Sequence, residues 1–303
     1  MTGAPEAEAM TFSGVYVPLI TPFDEAGAVA SDALEALAHD VLAAGAAGLV
    51  ALGTTGEPAS LSAGEQRSVV DVIARVCRER DATLVLGANT PDAVRSVRDR
   101  AGVGAVLSLV PPFLRPGEAG VVAYFEALAA ASPVPVIVYH VPYRTAQPLS
   151  AATVRRLAAI PGVAGIKLAA GGIDAATVEL MAEPPAGFAV LGGDDAFVSP
   201  LLALGAHGGI MASAHLATDR FAELVRAWRT GDTVRARALG HPLAGLALAL
   251  FAEPNPTVIK GVLHARGRIP TAAVRLPLVP AAAASIRAAL DQLDRQPSPV
   301  LEC

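Results

Sequence analysis

The chain has 303 residues, 53% of them hydrophobic and 17% charged, with a formal net charge of −5 at pH 7. Such a chain can bury a large core, and with aromatics at 4% and no basic tract it offers nucleic acid neither a phosphate-neutralising patch nor a stacking platform. Cys77 and Cys303 stand far apart without a Cys/His cluster, and no basic leader or long apolar run appears. A cytoplasmic protein with no metal, no cofactor, no membrane contact and no disulfide framework is therefore expected.

In chain order, Ala/Glu-rich residues 1–10 read as a disordered tail, and Gly14–Ile20 as the first strand. A helix pattern over Asp32–Ala44 follows, with Ser31 as its cap, then a strand over Gly48–Leu52 and a helix over Ala63–Arg80 capped by Ser62. Strand Thr83–Ala88, helix Asp92–Ala101, strand Ala105–Val110, helix Glu118–Ala131 and strand Val134–His140 continue the alternation. Helix Ala151–Ile160, capped by Ser150, precedes strands Val163–Lys167, Phe188–Gly192 and Gly209–Ala212, and helix Thr218–Arg229 follows. Beyond it the pattern is purely helical, over Thr233–Leu250, Pro256–Ala265 and Pro280–Gln292. Continuously apolar strands, alternating with helices, argue for a parallel sheet covered on its outside. Eight such units over about 230 residues fit an α/β (β/α)₈ TIM barrel across residues 11–230. The helices of 231–295 would pack on it, and 296–303 would form a tail. An open dinucleotide-binding sheet lacks its glycine fingerprint here.

The two lysines of the chain, Lys167 and Lys260, compete for attention because the basic residues are otherwise all arginine. Lys167 ends the apolar run Val163-Ala164-Gly165-Ile166-Lys167. A lysine at the exit of a buried strand loses hydration, which disfavours its charged form, and a neutral amine in an enclosed pocket is what Schiff-base chemistry requires. Lys260 sits in Pro256-Thr257-Val258-Ile259-Lys260-Gly261.

Strand ends carry the active site of such a barrel. After the second strand comes Gly53-Thr54-Thr55-Gly56-Glu57, whose amides and hydroxyls can hold a carboxylate, a reading the doubled threonine favours over a plain turn with Glu57 at a helix start. The fifth strand ends Tyr139-His140-Val141-Pro142-Tyr143-Arg144. Tyr139 can shuttle protons beside Lys167 or be a satisfied core tyrosine. Arg144 can pair with a substrate carboxylate or be a solvated loop arginine. His140 should face the opposite side of the strand as a wall residue. Asp194 and Asp195 are read as helix caps in preference to cation ligands.

These segments, with Gly14–Phe23, Gly87-Ala88-Asn89, Gly193-Asp194-Asp195 and Asn255-Pro256-x-x-x-Lys260, run nearly end to end in the same order. The chain resembles the dihydrodipicolinate synthase/N-acetylneuraminate lyase family of Schiff-base aldolases and lyases. The resemblance implies that Lys167 forms an imine with a 2-keto acid, typically pyruvate, while Tyr139 relays protons with Thr54 as its hydroxyl partner. It implies that Thr55 grips the pyruvyl carboxylate, that Gly193 and Ile210 line the pocket, and that Lys260 is structural. Arg144 stands where the true synthases hold the carboxylate of aspartate semialdehyde. The chain departs from them at Phe113, where a tyrosine reaches a neighbouring subunit's site, and at His140, which replaces an asparagine. Leu168-Ala169-Ala170 would make the distal pocket less able to bind polyols. Ala63 and Gln66 replace histidines of feedback-regulated members, although Asn89 is retained, so inhibition by lysine is not expected.

The reading is a pyruvate-dependent synthase or lyase acting on an aldehyde, assembled by resemblance as a homotetramer, a dimer of dimers. A 2-keto-3-deoxy acid aldolase or dehydratase, suited by Leu168 and Phe113, is the alternative. A non-catalytic keto-acid-binding barrel is a third, against which the joint presence of Lys167, Tyr139, Thr54 and Thr55 argues.

Overall fold

Short apolar stretches, too brief for helices and bounded by glycine, proline or polar turns, supply the strands. The structure, a computed structural model, describes residues 12–295, so both tails expected to be disordered lie outside the described residues. The strands are β1 (Gly14–Pro18), β2 (Gly48–Ala51), β3 (Thr83–Gly87), β4 (Val103–Leu109), β5 (Val136–His140), β6 (Val163–Leu168), β7 (Ala189–Gly192) and β8 (Gly208–Ile210). Each pairs in parallel with the next, and β8 pairs with β1, closing the barrel in sequence order. Closure removes both sheet edges and obliges helices to cover the outer face.

That cover is α1 (Ser31–Ala43), α2 (Ala63–Glu79), α3 (Pro91–Arg95), α4 (Gly117–Ala131), α5 (Pro142–Thr145), α6 (Ala151–Ala158), α7 (Ala175–Ala182), α8 (Val198–Ala203) and α9 (Ala214–Thr230). The fold is a TIM barrel with a C-terminal helical extension of α10 (Thr233–Leu250), α11 (Thr257–Ala265) and α12 (Ala283–Asp294). Alternate strand residues build two cores. Val17, Leu49, Val106, Val138 and Ile166 face the helices, whereas Tyr16, Val50, Leu107, Ile137, Tyr139 and Ile210 fill the barrel interior.

Ser62 forms a complete capping box, accepting from Glu65 N while the Glu65 carboxylate accepts from Ser62 N. Ser150 accepts from Thr153 N. Ser31, expected as a cap, is instead the first residue of α1; Ala30 occupies the cap position and no side chain bonds there. The helix expected over Asp92–Ala101 breaks after Arg95 into a 3₁₀ turn over Ser96–Asp99. Ser96 Oγ donates to the Ala93 carbonyl at 2.7 Å, the local competition that loosens helices at serine. Strand β4 also begins two residues earlier than expected, pairing Val103 with Leu84, so less chain remains for that helix.

Candidate active site

Register decides which side chains meet at the carboxyl ends of the strands. Tyr139 on β5 is the direct partner of Lys167 on β6, and both point inward. Lys167 Nζ lies 4.3 Å from the centroid of the Tyr139 ring; both side chains are buried. They wall a cavity together with Pro18, Gly53, Thr54 and Asn89. Among the described residues Lys167 Nζ has no hydrogen-bond partner, so its amine is uncommitted. Thr54 and Tyr139 share the cavity wall without a direct hydrogen bond between them.

Gly193 follows β7 and lies against the lysine stem. A Cβ there would stand 2.8 Å from Lys167 Cγ, 2.9 Å from Cε and 3.0 Å from Ala169 Cβ, distances no methyl group tolerates. Ile210 is fully buried on β8 inside the barrel, in the same cluster as Tyr139. Asp195 adds a second charge near the lysine. Burial pushes its carboxyl up to about 6, against hydrogen bonds from Ser213 and the positive charge of Lys167. Its Oδ2 accepts from Ser213 N at 2.6 Å, tying the end of β7 to the end of β8.

The Gly53–Glu57 segment forms a 3₁₀ turn over Thr54–Gly56, bracketed by Leu52 at φ 54° and Glu57 at φ 55°. Left-handed backbone at two non-glycine residues costs about 1–3 kcal/mol each and persists only where surrounding contacts over-determine it. Those contacts come from across the chain. Asn255 Nδ2 donates to Thr55 Oγ1 at 2.9 Å, which leaves the Thr55 hydroxyl proton available to another acceptor. Thr21 Oγ1 donates to the Gly56 carbonyl at 2.8 Å. Lys260 Nζ donates to Glu57 Oε1 at 2.5 Å, and Arg275 N to Glu57 Oε2 at 2.9 Å. Glu57 stands at the N-cap position of the 3₁₀ turn Pro58–Ser60, but its side chain makes no cap bond there and is a buried ion-pair partner instead.

Lys260, at 0% exposure, is wholly consumed by this arrangement. Its Nζ also donates to the Ala273 carbonyl at 2.9 Å and lies 4.1 Å from the Phe23 ring centroid. Burial pulls its pKa down to about 8 in spite of the Glu57 charge. The structure thus separates the two lysines by their partners: one is tied down, the other free.

Arg144 lies in α5, exposed, and its guanidinium makes no hydrogen bond or ion pair among the described residues. Phe113, in the loop after β4, is 89% exposed. His140 faces outward into the helical layer beside Leu149, Leu168 and Asp174, and burial pushes its imidazole down to about 4. Leu168 shares that outward pocket, which corrects the expectation that it shapes the distal end of the substrate pocket; Ala169 is the inward residue. Asp194 and Asp195, expected to cap the next helix, make no cap hydrogen bond. Asp194 accepts instead from Tyr143 and Gly171, and Asp195 from Ser213, so both carboxylates join other segments. Among the described residues no group of three His, Cys, Asp or Glu side chains is placed to hold a metal.

Sequence reasoning passed over Asn255, Arg275 and the pairing of Glu57 with Lys260. The Asn255-Pro256-x-x-x-Lys260 stretch was the available signal, but it did not say what those side chains touch. Nor does the sequence assign Tyr143 a role.

The sequence model of the dihydrodipicolinate synthetase family matches residues 11–295. A 4-hydroxy-tetrahydrodipicolinate synthase of Neisseria gonorrhoeae is 38% identical, over 91% of this chain and 97% of its own. Among solved structures, dihydrodipicolinate synthase DapA-2 of Bacillus anthracis superposes with a TM-score of 0.88 at 28% identity, covering 95% of this chain and 100% of that one. The chloride-inhibited dihydrodipicolinate synthase of Acinetobacter baumannii, solved in complex with pyruvate, gives a TM-score of 0.87 at 33% identity, covering 94% and 99%.

Proposed function

The chain belongs to the dihydrodipicolinate synthetase family, and on that premise we propose that it condenses pyruvate with aspartate semialdehyde through a Schiff base on Lys167. The amine adds to the keto carbon and water leaves, giving an imine that acts as an electron sink. Loss of a methyl proton then yields an enamine whose terminal carbon attacks the aldehyde. Tyr139, with Thr54, moves the protons of these steps. The Thr55 hydroxyl and the turn amides hold the pyruvyl carboxylate, and Gly193 and Ile210 shape the pocket. Arg144 receives the carboxylate of the acceptor. In this reading the enzyme is cytoplasmic and works as a homotetramer, a dimer of dimers; no helix among the described residues is long and apolar enough to cross a membrane.

The single observation that carries this reading is Lys167 Nζ, buried, without a hydrogen-bond partner among the described residues, and 4.3 Å from the Tyr139 ring centre. Borohydride reduction in the presence of pyruvate should leave a pyruvyl adduct on Lys167 and none on Lys260. No adduct would favour a binding protein, and an adduct on Lys260 would overturn the site. Arg144→Ala should cut turnover of an acidic aldehyde far more than of a neutral one, and equal losses would remove the carboxylate contact. The aldolase or dehydratase alternative keeps Phe113 in its favour, since that residue brings no hydroxyl, but it loses Leu168, which faces away from the barrel interior.

A further inference from the structure

Three loops at the rim of the barrel meet at one carboxylate. Tyr143, one residue before Arg144 in α5, donates its hydroxyl to Asp194 Oδ1 at 2.9 Å. Gly171, in the loop after β6, donates its N–H to Asp194 Oδ2 at 2.6 Å. The Tyr143 ring lies against Gly171, whose φ of +84° lets the loop pass beneath it; a Cβ on Gly171 would sit 3.7 Å from Tyr143 Cδ1. Each oxygen of Asp194 thus has a donor, and neither donor is an arginine. Arg144, next to Tyr143 in the chain, has no hydrogen-bond or ion-pair partner for its guanidinium among the described residues.

That arrangement is unusual in its economy of charge. The Tyr143 hydroxyl feels the charges of both Asp194 and Arg144, and an exposed arginine in the same neighbourhood as a half-buried carboxylate would ordinarily pair with it, because a charge-assisted bond to Arg is stronger than one to a neutral phenol. We infer that Tyr143 is a positioning residue for acceptor specificity: by keeping Asp194 occupied, it leaves the Arg144 guanidinium free for the carboxylate of an acidic aldehyde. The inference rests on the acceptor contact proposed for Arg144, and it deepens that reading by naming what keeps the contact available. The phenol is suited to the task. Burial first, and the Asp194 charge second, hold its pKa above the ordinary tyrosine range, so it remains a donor at every working pH. Tyr143 is nevertheless 59% exposed, so removal of its hydroxyl opens no core cavity.

The experiment compares wild type, Tyr143→Phe and Tyr143→Phe/Asp194→Asn with aspartate semialdehyde, with a neutral aldehyde, and with pyruvate under borohydride. Tyr143→Phe keeps the ring on Gly171 and removes only the donor. Asp194 should then take Arg144, raising KM for aspartate semialdehyde about tenfold, the scale of one hydrogen bond to a charged group. The KM for the neutral aldehyde and the rate of pyruvyl adduct formation should stay within twofold of wild type. Replacing Asp194 by Asn in the same variant removes the competing charge and should restore the low KM. An unchanged KM in Tyr143→Phe sinks the inference, as does a parallel rise for both aldehydes or a double variant that fails to recover. A wild-type enzyme that forms the pyruvyl adduct yet turns over no aspartate semialdehyde fails earlier, at the acceptor assignment itself, and takes the inference with it.

Discussion

Lys167 and Lys260 show how one side-chain type takes opposite roles through its neighbours. Lys260 Nζ is held by Glu57 Oε1 and the Ala273 carbonyl in a site sealed from water. Removing one partner of such a pair strands the other charge, a loss of about 3–5 kcal/mol. Lys260→Met should accordingly lower the urea midpoint sharply, and Lys260→Met/Glu57→Gln should recover part of it; a single variant as stable as wild type would contradict the buried-pair reading. Lys167 is free, and the space for its stem is a property of Gly193. Gly193→Ala would drive a methyl group to 2.8 Å from Cγ, displacing the amine. A shift of about 1 Å is enough for a roughly hundredfold loss of rate, so pyruvyl adduct formation should fall by about that factor while thermal unfolding changes little. Normal adduct formation in this variant would show that the stem has room elsewhere.

At the scale of elements, the Thr54–Gly56 turn after β2 is held from outside the barrel. Thr55 is held by Asn255, just ahead of α11, and the left-handed Glu57 by Lys260 and Arg275 from the same C-terminal region. The extension is thus part of the site's scaffold. Helix α2, which follows this turn, is started by the Ser62/Glu65 capping box, and Glu65 also pairs with Arg275 Nη2 at 2.5 Å. Ser62→Ala removes the cap acceptor and should cost about 1 kcal/mol, seen as a lower denaturation midpoint with catalytic constants unchanged. A change in KM for pyruvate would mean that the cap also positions the turn. The rim loops follow a similar logic, with Asp194 and Asp195 bonded to the neighbouring βα loops and not to their own helix.

Over the whole molecule, two buried histidines weaken the fold as pH falls. His215 Nε2 accepts from Ile20 N at 3.1 Å while Nδ1 faces the Ala212 carbonyl at 2.8 Å, so the neutral ring with its proton on Nδ1 satisfies both partners and a second proton would break one. Burial lowers its pKa from 6.5 to about 4, and does the same for His140. The folded state therefore binds fewer protons than the unfolded chain between these values: both contributions are full above about 6.5 and are lost as pH falls towards about 4. Asp195, raised from 3.8 to about 6 by burial, acts in the opposite sense, favouring the fold below its unfolded value and ceasing to as pH rises through about 6. With two imidazoles against one carboxyl, the unfolding midpoint should drop between pH 6.5 and 4, and His215→Gln, which keeps an acceptor without titrating, should flatten the drop. An equal slope in that variant would assign the drop elsewhere. Sequence by itself determined the order of the eight strands, the barrel they close and the prominence of Lys167, because apolar periodicity and the scarcity of a residue type are local or compositional properties; the short helices α5, α7 and α8 were not legible in it. Tyr139 beside Lys167 was legible too, since both end strands that neighbour one another in such a barrel. Only the tertiary structure decided that Glu57 serves Lys260, 203 residues away, that Leu168 turns outward, and that Tyr143 rather than Arg144 holds Asp194. Those outcomes depend on which side chains closure of the barrel brings within hydrogen-bond reach, and no spacing along the chain encodes that distance.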